Sequence, residues 1–229
     1  MKLSTKMKTF AALTATLLPF TASAASDAAK RLQSAAEAFK EVMGIPDKAI
    51  PQQLLEKAEC IVIIPDLKKG AFIVGGKYGK GFVSCRKKDG VGWSAPGSVR
   101  IEGGSVGFQI GASEMDVFML VMNDRGMHRL LGDKFTLGAD ATVAAGPVGR
   151  VAQAETDARM TAEILAWSRA RGLFAGIALN GATLREDDDW NQELYGKPLK
   201  NREIVDGSVA PPRSADPLLR ELDRYSSRK

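Results

Sequence analysis

The chain has 229 residues, 45% apolar and 26% charged, with a formal net charge of +5. This composition excludes disordered, collagen-like and repeat-biased chains and leaves room for one large domain or two small ones. Part of the charge sits at the very start. Without Lys2, Lys6 and Lys8 the balance falls to +2, so net charge gives no case for a nucleic-acid partner.

Residues 1–24 have the layout of a secretory signal. The three lysines form a basic n-region, Phe10 to Phe20 is mostly apolar, and Ala22-Ser23-Ala24 supplies a small-x-small cleavage pattern. The apolar stretch is roughly half the length of a membrane span. The expectation is a mature chain from Ala25 that is periplasmic or secreted. No later run approaches about 18 apolar residues.

An amphipathic helix is expected over 26–43, where Ala28, Leu32, Ala35, Ala36, Phe39, Val42 and Met43 recur at three- and four-residue spacing. Ser26 is its cap, and Gly44 with Pro46 ends it. Lys30 and Arg31 lie off the apolar stripe. A short helix follows over 51–58, opened by Pro51.

From residue 60 the character turns to β. Cys60 to Ile64 is a continuous apolar run closed by Pro65-Asp66. Residues 71–74 and 81–85 are the next strands, joined by the Gly-rich connection Gly75 to Lys80. Further strands are expected over 91–101, 105–112 and 116–122, with turns at Gly103-Gly104 and at Ala112-Ser113-Glu114.

A short helix is expected over 124–132 and a strand late in 135–146. Two strands around a turn at Arg169–Gly172 are expected within 162–180, with a helix over 152–168 as the competing reading. Asp187-Asp188-Asp189 opens a helix running to Tyr195. Residues 207–216 read as a Ser/Pro-rich linker, and residues 217–225 as one amphipathic turn or two with a frayed end. The fold class is therefore α+β: one β-rich domain with a curved, barrel-like antiparallel sheet, an N-terminal helix and short C-terminal helices. Its span is 25–205, followed by a Pro-containing tail over 206–229.

Cys60 and Cys85 stand at strand ends. An exported chain allows a disulfide between them. Its Cα spacing is not fixed by sequence, so two buried thiols are the favoured reading. Two cysteines and one histidine exclude a Cys₄ or Cys₂His₂ zinc site, and no cofactor motif is present.

Gly103-Gly104-Ser105-Val106-Gly107 matches G-x-S-x-G, and Asp116 or Asp124 and then His128 follow in hydrolase order. The reading fails on context: Phe108 onward continues as strand where a nucleophile elbow needs a helix. A serine hydrolase at Ser105 is the remote alternative.

Lys68, Lys69, Lys77 and Lys80 cluster around one Gly-rich segment, and Arg86, Lys87 and Lys88 follow the next strand. If the strands form a hairpin, the two groups lie near its opposite ends. One reading is a solvated edge that blocks sheet aggregation. The other is a patch for anionic phosphate head groups, worth about 1 kcal/mol per positioned Lys or Arg. Lys30 and Arg31 join that patch if the first helix lies in a membrane interface.

Four segments then occur in order: 68–81 (KKGAFIVGGKYGKG), 105–112 (SVGFQIGA), 134–150 (opening KFTLGAD and closing AGPVGR) and 168–176 (SRARGLFAG). Together they resemble the SYLF domain, over about residues 30–200. The resemblance implies phospholipid binding, with phosphoinositides as ligands in eukaryotic members and an actin link in some fungal ones, and it implies no catalysis. An exported bacterial member would meet phosphatidylglycerol, cardiolipin or lipopolysaccharide. The expectation is a noncatalytic binder of anionic phospholipid in the cell envelope. An envelope structural or protein-interaction module is the alternative.

Overall fold

The computed structural model describes residues 25–46, 49–71, 74–106, 111–149 and 162–226. The signal-like segment 1–24 and residues 152–161 of the competing helix lie outside them.

Helix α1 spans Asp27–Met43, capped by the Ser26 hydroxyl, which accepts from the Ala29 N–H at 3.2 Å. Its apolar stripe, including Leu32, Phe39 and Val42, is wholly buried. Helix α2 spans Gln52–Lys57 behind Pro51. Strands β1 (Cys60–Ala71), β2 (Val74–Cys85), β3 (Gly97–Val106) and β4 (Gly111–Val121) follow. Next come α3 (Asp124–Leu130), β5 (Lys134–Thr136), β6 (Val143–Ala145), β7 (Ile164–Ala170), β8 (Leu173–Gly176), β9 (Thr183–Glu186) and α4 (Asp188–Tyr195). The last helix, α5, is Asp216–Ser226.

The strands form one sheet, ordered β5-β9-β3-β2-β1-β4-β7-β6, curled into a half barrel. One edge of β7 pairs with β4; parallel β6 and antiparallel β8 share the other. The β7–β8 turn falls at Arg171 and Gly172, both with positive φ, where the sequence placed it.

Both faces of the sheet are covered. Ile61, Ile63, Phe82, Phe118, Leu120 and Trp167 pack under α1, α2 and α5. Their neighbours Val62, Ile64, Val83, Val117, Met119 and Ile164 face a second core with Phe135, Leu137 and Leu184. Burial on both faces is why Cys60 to Ile64 is apolar without alternation.

Three expected turns are strand. Gly75 to Lys80 lies inside β2, Gly103-Gly104 inside β3, and Ala112-Ser113-Glu114 inside β4. The Pro65-Asp66 stop is a bulge rather than an end. Strand β1 carries one extra residue there against both neighbours, as Ile63 pairs with Phe82 but Lys68 with Tyr78. Asp66 takes φ +50. Gly81 faces this bulge, and a Cβ on it would meet the Ile63 carbonyl and stand 2.7 Å from the Ile64 Cα. Close backbone approach, not turning, explains this glycine.

One further expectation is corrected. Cys60 and Cys85 are cross-strand partners joined in a disulfide, not two free thiols. The amphipathic turns expected near the C-terminus are helix α5, with Leu218 and Leu222 buried and Tyr225 edge-on to Phe39 at 6.0 Å.

Candidate anion-binding site

The two basic groups stand at opposite ends of the β1–β2 hairpin, as the sequence suggested, but they do different work. Arg86 is buried, its guanidinium over the Trp93 ring at 3.9 Å. It donates to the Leu55 carbonyl at 2.8 Å, the Ala58 carbonyl at 3.4 Å and the Ser226 carbonyl. The side chain thus satisfies terminal carbonyls of α2 and α5, where a cation also suits the helix dipole. It faces the interior and is corrected from a headgroup ligand to a structural clamp. Lys87 and Lys88 follow it on the turn at this end; Lys87 faces Asp223, whose carboxyl burial pushes up.

Lys80 is likewise committed. Its ammonium lies 2.7 Å from the buried Asp187 carboxylate and 4.4 Å over the Trp190 ring. Asp187 also caps α4 by accepting from the Trp190 N–H at 3.1 Å. The Asp187–Asp189 run therefore starts a helix, as expected.

Arg31 donates to Asp66 at 2.9 Å and to the Pro65 carbonyl at 3.1 Å, tying α1 to the bulge. Asp116 accepts from the Asp66 N–H at 3.0 Å and from Arg169 Nε at 2.8 Å, and Arg169 also pairs with Glu41. Lys30 pairs with Asp27 at 3.2 Å on the exposed side of α1. With its stripe buried and Arg31 anchored, α1 is packed on its own domain and presents no apolar face to a membrane.

The register places Lys68, Lys69 and Lys77 in two rows across β4, β1, β2 and β3. Glu114, Lys68, Tyr78 and Glu102 form one row; Ser113, Lys69, Lys77 and Gly103 form the next. Period-two alternation puts the rows on opposite faces. Lys68 reaches Glu114 at 3.9 Å, an exposed pair of little energetic weight. Lys69 and Lys77 are directly opposite one another. The Lys77 stem runs beside Gly103, and a Cβ there would stand 3.3 Å from the Lys77 Cγ and from the Ala182 Cα. Burial and the Lys69 charge together hold the Lys77 ammonium below the usual lysine range. Tyr78, 48% exposed, was missed by sequence reading. Its signal was the alternation with Lys77, hidden by the apparent turn.

Ser105 sits in β3 opposite Gly75, and His128 in α3, a helix capped by Asn123. Ser105 thus stands on a strand and not on the strand-to-helix turn a hydrolase requires. Among the described residues no group of His, Cys, Asp and Glu is arranged to hold a metal.

Residues 102–225 match the sequence model of the family described as "Ysc84: Las17-binding protein actin regulator". The human SH3 domain-containing YSC84-like protein 1 is 34% identical over 80% of this chain and 53% of its own length. Protein YSC84 of Saccharomyces cerevisiae is 35% identical over 77% of this chain and 38% of its own. LAS seventeen-binding protein 3 of the same species is 34% identical over 77% and 39%. The chain thus spans about half or less of the length of these relatives, which are named for binding and for domains rather than for a reaction. The chain belongs to the Ysc84/SYLF domain family.

Proposed function

We propose that this chain is a noncatalytic binder of anionic phospholipid head groups in the bacterial cell envelope, through Lys69 and Lys77 with Lys68 on the opposite face. The observation that carries this reading is the direct cross-strand opposition of Lys69 and Lys77. Like charges so placed destabilise a sheet. A phosphate oxygen set between the two ammonium groups would accept a charge-assisted hydrogen bond from each. The basic, apolar leader and the Cys60–Cys85 disulfide support export to an oxidising compartment.

Flotation of the purified protein with phosphatidylcholine vesicles of graded phosphatidylglycerol content tests the reading. Binding should rise with anionic lipid and fall with salt. Lys69→Ala and Lys77→Ala should each weaken it about five-fold, equivalent to about 1 kcal/mol. Lys88→Ala should leave it unchanged. Equal binding to neutral and anionic vesicles, or none to either, rejects the reading. A protein partner is the second reading, favoured by Leu173, 77% exposed at the tip of the β7–β8 hairpin.

A further inference from the structure

The face of the sheet opposite Lys69 and Lys77 carries a second arrangement of cations. The pairing of β2, β3, β9 and β5 sets Lys80, Arg100, Arg185 and Lys134 side by side, one per strand. Directly paired residues share a face, so the four form a single row across the sheet. Period-two alternation separates this row from Lys77 on β2. Lys80 is neutralised by Asp187. The other three share one carboxylate: Glu102 stands 3.2 Å from Arg100 Nε and 4.0 Å from Arg185 Nε. Among the described residues no other carboxylate lies within ion-pair distance of Arg100 or Arg185, and none of the exposed Lys134. The two arginine side chains are 35 and 40% exposed. Asp188, whose charge reaches Arg100, is itself held by Lys200 at 2.9 Å. Like charges directly across strands destabilise a sheet, and this row sets three in succession.

The adjoining row on the same face reads Glu114, Lys68, Tyr78, Glu102, Thr183 and Thr136, from β4 to β5. Both signs of charge occur there, on either side of the exposed Tyr78 ring. An anionic lipid surface offers one sign only and is repelled by Glu114 and Glu102. A protein segment suits a mixed row, and Tyr and Arg are the side chains that anchor protein interfaces. Spacing selects the kind of segment. Neighbouring strands lie about 4.8 Å apart, so Arg185 and Arg100 stand about 5 and 10 Å along the row from Lys134. An α-helix rises about 1.5 Å per residue, so residues i+3 and i+7 stand about 4.5 and 10.5 Å from residue i. Alternate residues of an extended strand advance about 6.7 Å and lose step by the third cation.

We propose that this face of β3, β9 and β5 docks an acidic α-helix of a partner protein, laid across the strands with carboxylates at i, i+3 and i+7 against Lys134, Arg185 and Arg100. Each guanidinium offers a planar set of donors that matches a carboxylate. The surface is separate from Lys69 and Lys77, so it stands or falls independently of the phospholipid reading.

The probe is a synthetic alanine-based helical peptide with glutamates in that pattern, labelled for fluorescence anisotropy. Its control has the same composition with the glutamates at i, i+2 and i+5, spread around the helix. The patterned peptide should bind the full chain saturably, about five-fold tighter than the control, and salt should weaken it. Arg185→Gln and Lys134→Gln should each weaken binding about three-fold at unchanged melting temperature. Glu102→Gln removes the competing carboxylate and should tighten binding by a similar factor, a gain that a misfolded chain does not produce. Flotation with phosphatidylglycerol vesicles should be the same for Arg185→Gln and Lys134→Gln as for the parent chain. Equal binding of both peptides, no saturable binding of the patterned one, or no response to the three substitutions overturns the proposal. Loss of flotation in Arg185→Gln and Lys134→Gln makes the face a lipid contact and overturns it as well. Failure of the parent chain to float rejects the phospholipid reading alone.

Discussion

The two ends of the β1–β2 hairpin carry three basic residues each within a few positions of the strand end, and they use them in opposite ways. At the Cys60–Cys85 end, Arg86 is drawn inside, stacked on Trp93 and bonded to three carbonyls. At the other end, Lys69 and Lys77 face each other among glycines. A guanidinium has five donors in a rigid plane, so buried carbonyls and an aromatic ring satisfy it well. An ammonium set opposite another ammonium gains nothing from that neighbour. The contrast shows that side-chain geometry and surroundings, not the density of positive charge, separate a clamp from a candidate site.

The comparison breaks most readily at the clamp. Arg86→Ala should cost about 3 kcal/mol or more in urea unfolding, because it strands buried carbonyls and frees the ends of two helices. An unfolding midpoint equal to the parent's would show that Arg86 is not structural. The disulfide comes next. Replacing Cys60 and Cys85 together by alanine should lower stability by about 3 kcal/mol, the chain-entropy value for a closed loop of this size. The opposite end should behave differently: on the proposed reading, Lys77→Ala should reduce flotation without lowering the melting temperature.

The smallest effect is a pH slope. The Lys77 ammonium is held below its ordinary range in the folded chain, so the unfolded chain binds more protons there. Stability should therefore rise as pH climbs from the folded value toward the ordinary lysine value near 10.5, while lipid binding falls as Lys77 loses its charge. Lys77→Met should flatten both trends in alkaline titrations followed by melting and by flotation.

Much of this was readable before any coordinates. The spacing of Leu32, Phe39 and Val42 and the Ser26 cap located α1, and Arg169–Gly172 located the β7–β8 turn. The apolar run Cys60 to Ile64 marked a strand, and the structure shows it buried on both faces. The failures share one cause. Gly75 to Lys80 and Gly103-Gly104 have turn chemistry, yet they pair as strand; Gly79 and Gly103 lie close to neighbouring atoms, as Gly81 does, whereas Gly104 is open. A local pattern cannot report a distant strand's approach. Arg86 was misjudged for a related reason: its partners Leu55, Ala58 and Ser226 lie 28 to 140 residues away. The lysine pair was half legible. The sequence grouped the residues, but only the register set Lys69 against Lys77.

The bulge at Pro65–Asp66 gives the hairpin two mechanical parts. Strand β1 is one residue longer than both its neighbours there, so regular pairing lapses on each side of it at the same level. Asp116 of β4, Arg31 of α1 and Arg169 of β7 brace that level. The bulge is thus where the ladder that runs to the disulfide-bonded end gives way to the glycine-rich ladder of the other, and Arg31 ties that level to a helix of the core.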